Sequence, residues 1–228
     1  MVQLCQFPRA ASRERIIVRT AKRKLSDEAQ QRANIKYSWQ KLMFRLAANF
    51  GPGDLVVTLT YDDDHLPETR SKARAHLKAF RAKMTKSRQA RGKDFVAIYA
   101  TEHLHSSTWI KEDRRWHHHI VINAACDDYE EIRKAWPYGT NVEIHRFKLN
   151  KELSYETLAR YMAKERGETS RSHVWDCTRN CHKPEIESFQ VADDEKLTVP
   201  DGATHVRYES KETYYGRYDI VSYIGAPT

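Results

Sequence analysis

Residues 114–123 read RRWHHHIVIN, three histidines in a row opening an apolar run. Strand side chains alternate between faces, so His117 and His119 project together and His118 points the other way. Upstream, DFVAIYATEH at residues 94–103 is a second apolar run, joined to the first by the polar linker LHSSTWIKEDRR. The two read as neighbouring strands of a hairpin with a long loop. Antiparallel pairing sets the end of one strand beside the start of the next, which brings Glu102 close to the histidines.

Working outward, DLVVTLTY at residues 54–61 is β-branched and apolar, a buried strand. Its alternation sets Thr58 and Thr60 on one face, as candidates for the floor of a site. The following DDDHLPE is a polar exit loop, with Asp62–Asp64 read as a solvated turn. Before the strand, Ser26 as N-cap with Asp27 and Glu28 in the first turn opens a helix. Its pattern runs through Ile35, Trp39, Leu42, Met43, Leu46 and Ala47 to a stop at Gly51. After it, a helix over residues 71–90 carries an inward stripe of Ala75, Leu77, Ala79, Phe80 and Met84. YEEIRKAW makes a short helix, GTNVEIHRFK a strand, and SYETLARYMAKE a helix capped by Ser154. IIVRT at residues 16–20 is a short strand or an arm, His103 and His105 fall in a loop, and TYYGRYDIVSYI at residues 213–224 is edge structure. This order predicts an α+β fold, a mainly antiparallel sheet flanked by helices.

A chain of 228 residues suits one domain, with or without an appended segment. Hydrophobic residues at 40% and charged residues at 31% place it with globular proteins rather than disordered or membrane ones. No apolar run approaches the roughly 18–20 residues of a spanning helix. MVQLCQFPRA lacks the apolar core of a secretory signal. The four cysteines, Cys5, Cys126, Cys177 and Cys181, are too few and scattered for a stapled secreted scaffold. A cytoplasmic protein without a membrane partner is expected. Lys and Arg number 39 against 31 acids, a net charge of +8, and the pI is 9.3. Such an excess attracts a polyanion, and RTAKRKLS (19–26) and FRAKMTKSRQARGK (80–93) concentrate it as a phosphate-tracking surface would. Nucleic acid leads the expected partners; a merely soluble basic protein is the alternative.

Two imidazoles on one strand face, about 7 Å apart along it, can share one metal ion. His117 and His119 with the carboxylate of Glu102 form a ligand set that accepts Mg²⁺ or Mn²⁺, and also Zn²⁺. A histidine-rich strand start at the solvent edge is the competing reading. In LARYMAKE, Tyr161 and Lys164 stand three apart on one helix face. A tyrosine attacking a DNA phosphate forms a covalent phosphotyrosine, which splits one hard displacement into two. A neighbouring lysine orients or neutralises the phosphate. Read without context, the pair is equally a surface tyrosine beside a cation.

VVTLTY, a strand ending at Glu102, then WHHHIV, then YMAK on a following helix resemble the ordered motifs of HUH endonucleases, the rolling-circle replication initiators. FRLAANFGPGDLVVTLTYDDDHLPE, AHLKAFRAKMTK, AWPYGTNVEIHRF and CTRNCHKPEIES resemble, in order, the prophage and plasmid initiators related to the filamentous-phage replication protein. This resemblance implies a five-stranded antiparallel sheet of the RNA-recognition-like sort and a site-specific nick in single-stranded DNA. It further implies a 5′-phosphotyrosyl adduct and a 3′-OH that primes synthesis. His117 and His119 would be the metal pair, Glu102 the third ligand, Tyr161 the nucleophile and Lys164 its basic companion. The implied organisation is a basic arm and helix at residues 1–50, an endonuclease core at 51–170 and a C-terminal extension packing on it at 171–228. An origin hairpin, a host helicase and a DNA polymerase are the implied partners, since no glycine-rich helicase phosphate loop is present.

The sequence departs from that pattern at His118, where a bulky apolar residue is usual, so a register that brings His118 into the site stays open. Tyr155 lies six residues before Tyr161 and off its helix face, so the reading is a single-tyrosine enzyme, with Tyr155 as the lesser alternative. His173, Cys177, Cys181 and His182 offer a zinc cluster, and with it a non-catalytic DNA-binding regulator as the rival function. A transposase or relaxase using the same chemistry is a nearer alternative. Trp109, Trp116, Trp136 and Tyr138 either stack on unpaired bases or fill the core.

Overall fold

The computed structural model describes residues 1–6, 27–105, 114–125, 128–149, 154–163, 174–187, 195–213 and 216–225. The chain divides into two compact units, Gln30–Pro184 and a second formed by Met1–Ala29 with Glu185–Thr228. IIVRT, the basic run at 19–26, Trp109, Cys126, Lys164 and His173 lie outside the described residues. Among the described residues, no helix is long and apolar enough to cross a membrane.

The chain opens with β1 (Val2–Gln6), which belongs to the smaller unit. The larger unit is α+β. In chain order its elements are α1 (Asp27–Ala47, beginning within the smaller unit), β2 (Leu55–Leu59), α2 (Arg70–Gln89), β3 (Ala97–His105) and β4 (Arg114–Ile122). Then follow α3 (Asp128–Ala135), β5 (Val142–Arg146), α4 (Tyr155–Met162) and β6 (Trp175–Cys177). Five antiparallel strands form one sheet in the order β5-β2-β4-β3-β6. The hairpin anticipated around the histidines is present, with Glu102 directly opposite His117. His103 and His105, expected in a loop, belong to β3. The strand extends past the apolar run because its partner does too: His103 pairs with Trp116 and stacks on it, ring centroids 4.2 Å apart.

Alternation gives the sheet two unlike faces. On one, Leu55, Val57, Leu59, Tyr99, Trp116, Ile120 and Ile122 bury against Leu77, Phe80 and Met84 of α2 and Ile132 and Trp136 of the α3 region. On the other, α4 covers the sheet next to His119, and α1 lies alongside α4, where the Arg160 guanidinium sits 4.1 Å over the Trp39 ring. Trp116 and Trp136 are core residues. The Trp136 indole donates to Thr60 O at 2.7 Å.

α2 turns its sequence stripe by one position. Its buried residues are Ala73, Leu77, Phe80, Met84 and Arg88, while Ala75 and Ala79 stay outside the core. Arg88 is 0% exposed and is held by Asp128 Oδ2 (2.7 Å), Asn123 Oδ1 (2.7 Å), Asn123 O (2.7 Å) and Asp94 O (3.0 Å). A buried guanidinium persists only when its charge and donors are met in this way. Thr69 caps the N-terminus of α2, and Ser154 caps α4 as its sequence predicts, accepting from Thr157 N at 3.1 Å.

The smaller unit holds β1, β7 (Thr204–Thr213) and β8 (Gly216–Ile224) in an antiparallel sheet ordered β1-β8-β7. TYYGRYDIVSYI therefore supplies a central strand rather than an edge. β8 takes that place because it pairs on both sides and carries Val221 and Tyr223, buried in this unit.

Candidate active site

β2, β3 and β4 bring Thr58, Ala100, Glu102, His117 and His119 to the α4 face of the sheet. His119 is opposite Ala100 on β3 and Thr58 on β2, and His117 is opposite Glu102. His119 is 3% exposed and Glu102 1%, and the imidazole Nε2 lies 3.1 Å from Glu102 Oε2. On its other side, His119 Nδ1 is 3.3 Å from Thr58 Oγ1. The consistent tautomer has Nε2–H donating to the carboxylate and Nδ1 accepting from the hydroxyl. Thr60, the second candidate for the floor, donates instead to Asn141 O at 2.6 Å.

Tyr161 reaches this group from α4. Its ring meets the His119 ring edge-on at a centroid distance of 4.6 Å, and the residue is 43% exposed. Partial burial raises its phenol above the ordinary value, and the carboxylates of Glu102 and Glu143 raise it further. Reading the sequence for ligands does not single out Glu143. It pairs with Thr58 across β2 and β5, so alternation along VEIHR is the signal that places it on this face.

The neighbouring residues separate cleanly. His118 points to the opposite face and is 0% exposed, with Nε2 2.8 Å from Tyr61 Oη and Nδ1 3.0 Å from Thr101 Oγ1. Burial, followed by the charges of His119, His117 and His76, pushes its pKa down to about 3. The register that would bring His118 into the site is thereby removed. Tyr155 is buried and donates its hydroxyl to Phe50 O at 2.7 Å, away from the histidines. Asp62 accepts from Thr140 N at 3.1 Å, bracing the turn that leads into β5, and Asp63 pairs with Arg115 at 2.6 Å.

Among the described residues, no three His, Cys, Asp or Glu side chains are gathered closely enough to hold a metal ion as they stand. In kind, the donors suit a divalent cation. His119 and Glu102 are in contact, and His117 shares their face. Of the proposed zinc cluster, Cys181 donates to Ala97 O at 3.6 Å and lies 3.5 Å from Thr178 Oγ1. His182 engages Asn49 through its backbone N–H at 2.7 Å.

A family model described as replication-associated protein ORF2 matches residues 54–168, a span that holds Glu102, His117, His119 and Tyr161. No curated protein matches the chain. Among solved structures, the hypothetical protein ORF119 from Sulfolobus islandicus rod-shaped virus 1 is similar. It is 13% identical, with a TM-score of 0.34, over 61% of this chain and 99% of that one. With just over half of its length matched, the chain belongs to the family of the replication-associated protein ORF2.

Proposed function

We propose that the protein is a replication initiator of the HUH type, nicking single-stranded origin DNA and rejoining it during rolling-circle replication, with its endonuclease core at residues 51–170. The observation that carries this reading is the placing of Tyr161. A tyrosine from a different element stands against His119 on the same sheet face as Glu102 and keeps its ring open to solvent.

The Tyr161 hydroxyl attacks the scissile phosphorus. A P–O bond forms to the phenol oxygen as the phenol gives up its proton, the bond to the 3′ oxygen breaks, and that oxygen takes up a proton to leave as a 3′-OH, so no net proton is consumed. The 5′ end stays on the protein as a phosphotyrosine, and a later attack by a 3′-OH reverses the exchange. His117, His119 and Glu102 would hold Mg²⁺ or Mn²⁺, which supplies polarisation of a phosphoryl oxygen when bound. Lys164, two residues past the end of α4, would neutralise the phosphate. The family's place in replication supports origin DNA with its hairpin as substrate, and a host helicase and polymerase as partners.

Single-stranded DNA from the parent replicon, mixed with the protein and Mn²⁺ and run on a denaturing gel, tests the reading. A covalent adduct that requires the metal and disappears in Tyr161→Phe is expected. DNA binding without an adduct on any origin sequence would overturn it in favour of a non-catalytic regulator.

A further inference from the structure

On the face of the sheet away from Tyr161, α2, β3 and β6 enclose a cavity of about 330 Å³. Four cations of α2 line it, Arg70, Arg74, Lys78 and Arg81, with Tyr99 of β3 and Trp175 and Asp176 of β6 opposite. Among the described residues none of the four is ion-paired with a carboxylate. Asp176 sets one carboxylate among the four cations, accepting from Cys177 N at 2.8 Å and lying beside the Tyr99 hydroxyl, so the lining keeps a net positive charge.

Two of the cations are held in place. Arg70 donates through Nη2 to Thr101 O at 3.1 Å, and the Arg81 guanidinium lies 4.1 Å over the Tyr99 ring. In both, the Nε atom is buried and has no hydrogen-bond partner. Arg74 and Lys78 are exposed and point the row outward. Arg70, Arg74 and Lys78 follow one another at four-residue intervals, about 6 Å along the axis at an α-helix's rise, and Arg81 continues the row. Fixed guanidinium groups at the back of a concave surface, continued by exposed cations, suit phosphate oxygens. The row is longer than one phosphate needs, which selects a polynucleotide backbone over a free nucleotide.

We infer that this groove is a second DNA contact, binding backbone phosphates behind the sheet while the Tyr161 face handles the scissile strand. It goes beyond the nicking reading and does not need it, because a protein that bound DNA and never cut it would keep the same groove.

The test uses the full chain in a Tyr161→Phe background, so that covalent capture does not enter. Binding of a fluorescent 30-nucleotide DNA is followed by anisotropy across a salt series. Arg74→Ala with Lys78→Ala should weaken binding at least about 10-fold and reduce the slope of log K against log salt by about 2. Thermal melting of the variant should match its parent, since both side chains are exposed. Arg133→Ala with Lys134→Ala, on exposed positions of α3, removes the same charge and should leave binding and slope unchanged. Deoxynucleoside monophosphate should not displace the DNA. An unchanged affinity and slope in the first variant, an equal loss in the second, or displacement by the monophosphate would overturn the inference.

Discussion

His118 and His119 are adjacent in sequence and almost equally buried, at 0% and 3% exposure, yet the two faces of the sheet put them to opposite uses. His118 is closed off: two neutral hydroxyls, from Tyr61 and Thr101, take both ring nitrogens, and aromatic rings surround it. His119 keeps a carboxylate on one nitrogen and an exposed tyrosine against its ring. Burial is thus not what separates the histidine proposed to do chemistry from the structural one. The partners differ: two neutral hydroxyls hold His118, whereas His119 has a carboxylate on Nε2, the Thr58 hydroxyl on Nδ1 and a half-exposed tyrosine against its ring, the arrangement proposed above as a site.

The largest effect expected is Tyr161→Phe, which should abolish the covalent DNA adduct while the melting temperature stays within a degree or two of the parent. A residual adduct would move the nucleophile elsewhere and erase the contrast between the faces. Next comes the far end of the structural face. Arg88→Met removes the closest counter-charge of the buried Asp128, leaving Arg91 Nη2 at 3.4 Å and the Ala125 N–H on its carboxylate, and should cost about 3 kcal/mol in denaturant unfolding. Exchanging the roles tests the comparison directly. His119→Leu should lower nicking about 100-fold and, because it takes a donor from the buried Glu102 carboxylate, also cost about 1–3 kcal/mol. His118→Leu leaves the Tyr61 and Thr101 hydroxyls without a ring partner and should cost about 1–3 kcal/mol while any activity per folded molecule persists. Equal losses of nicking per folded molecule in both variants would show that the faces do not differ as described.

A smaller effect is expected at Gly139, where a Cβ would run into the backbone carbonyl of Thr60. That carbonyl also accepts from the Trp136 indole, so backbone rather than a flexible side chain must yield. Gly139→Ala should cost about 1–3 kcal/mol, the range for overpacking, and urea unfolding measures it.

The geometry of the candidate site was legible because strand alternation is a strict rule. Three histidines followed by an apolar run assign His117 and His119 to one face whatever the register of the neighbours, and Glu102 follows from antiparallel pairing. The α2 stripe misled for a physical reason. Its true positions, 73, 77, 80, 84 and 88, step by three and four residues, but the last is an arginine. Its partner Asp128 lies forty positions away, so local pattern reads Arg88 as solvent-facing and shifts the stripe toward Ala75 and Ala79. β7 was hidden too, since THVRYESKET is polar on nearly every residue and exposed along most of its length. It is a strand because β8 pairs with it, which no local periodicity announces.

The smallest effect separates the faces through pH. His118 titrates near pH 3 in the fold, against about 6.5 in an unfolded chain, so the unfolded state takes up its proton first as the pH falls. This contribution is intact above about pH 6.5 and is lost progressively between there and pH 3. His118→Gln keeps a donor and an acceptor in the pocket without a titrating proton. At pH 7 the pH term should therefore leave the two proteins alike. Between pH 6 and 4 the parent should lose stability more steeply by about 1.4 kcal/mol per pH unit, one proton's worth, read from urea unfolding at each pH. Parallel curves would mean that the ring is reached by water or protonated in the fold, and the closed face would then be no drier than the open one.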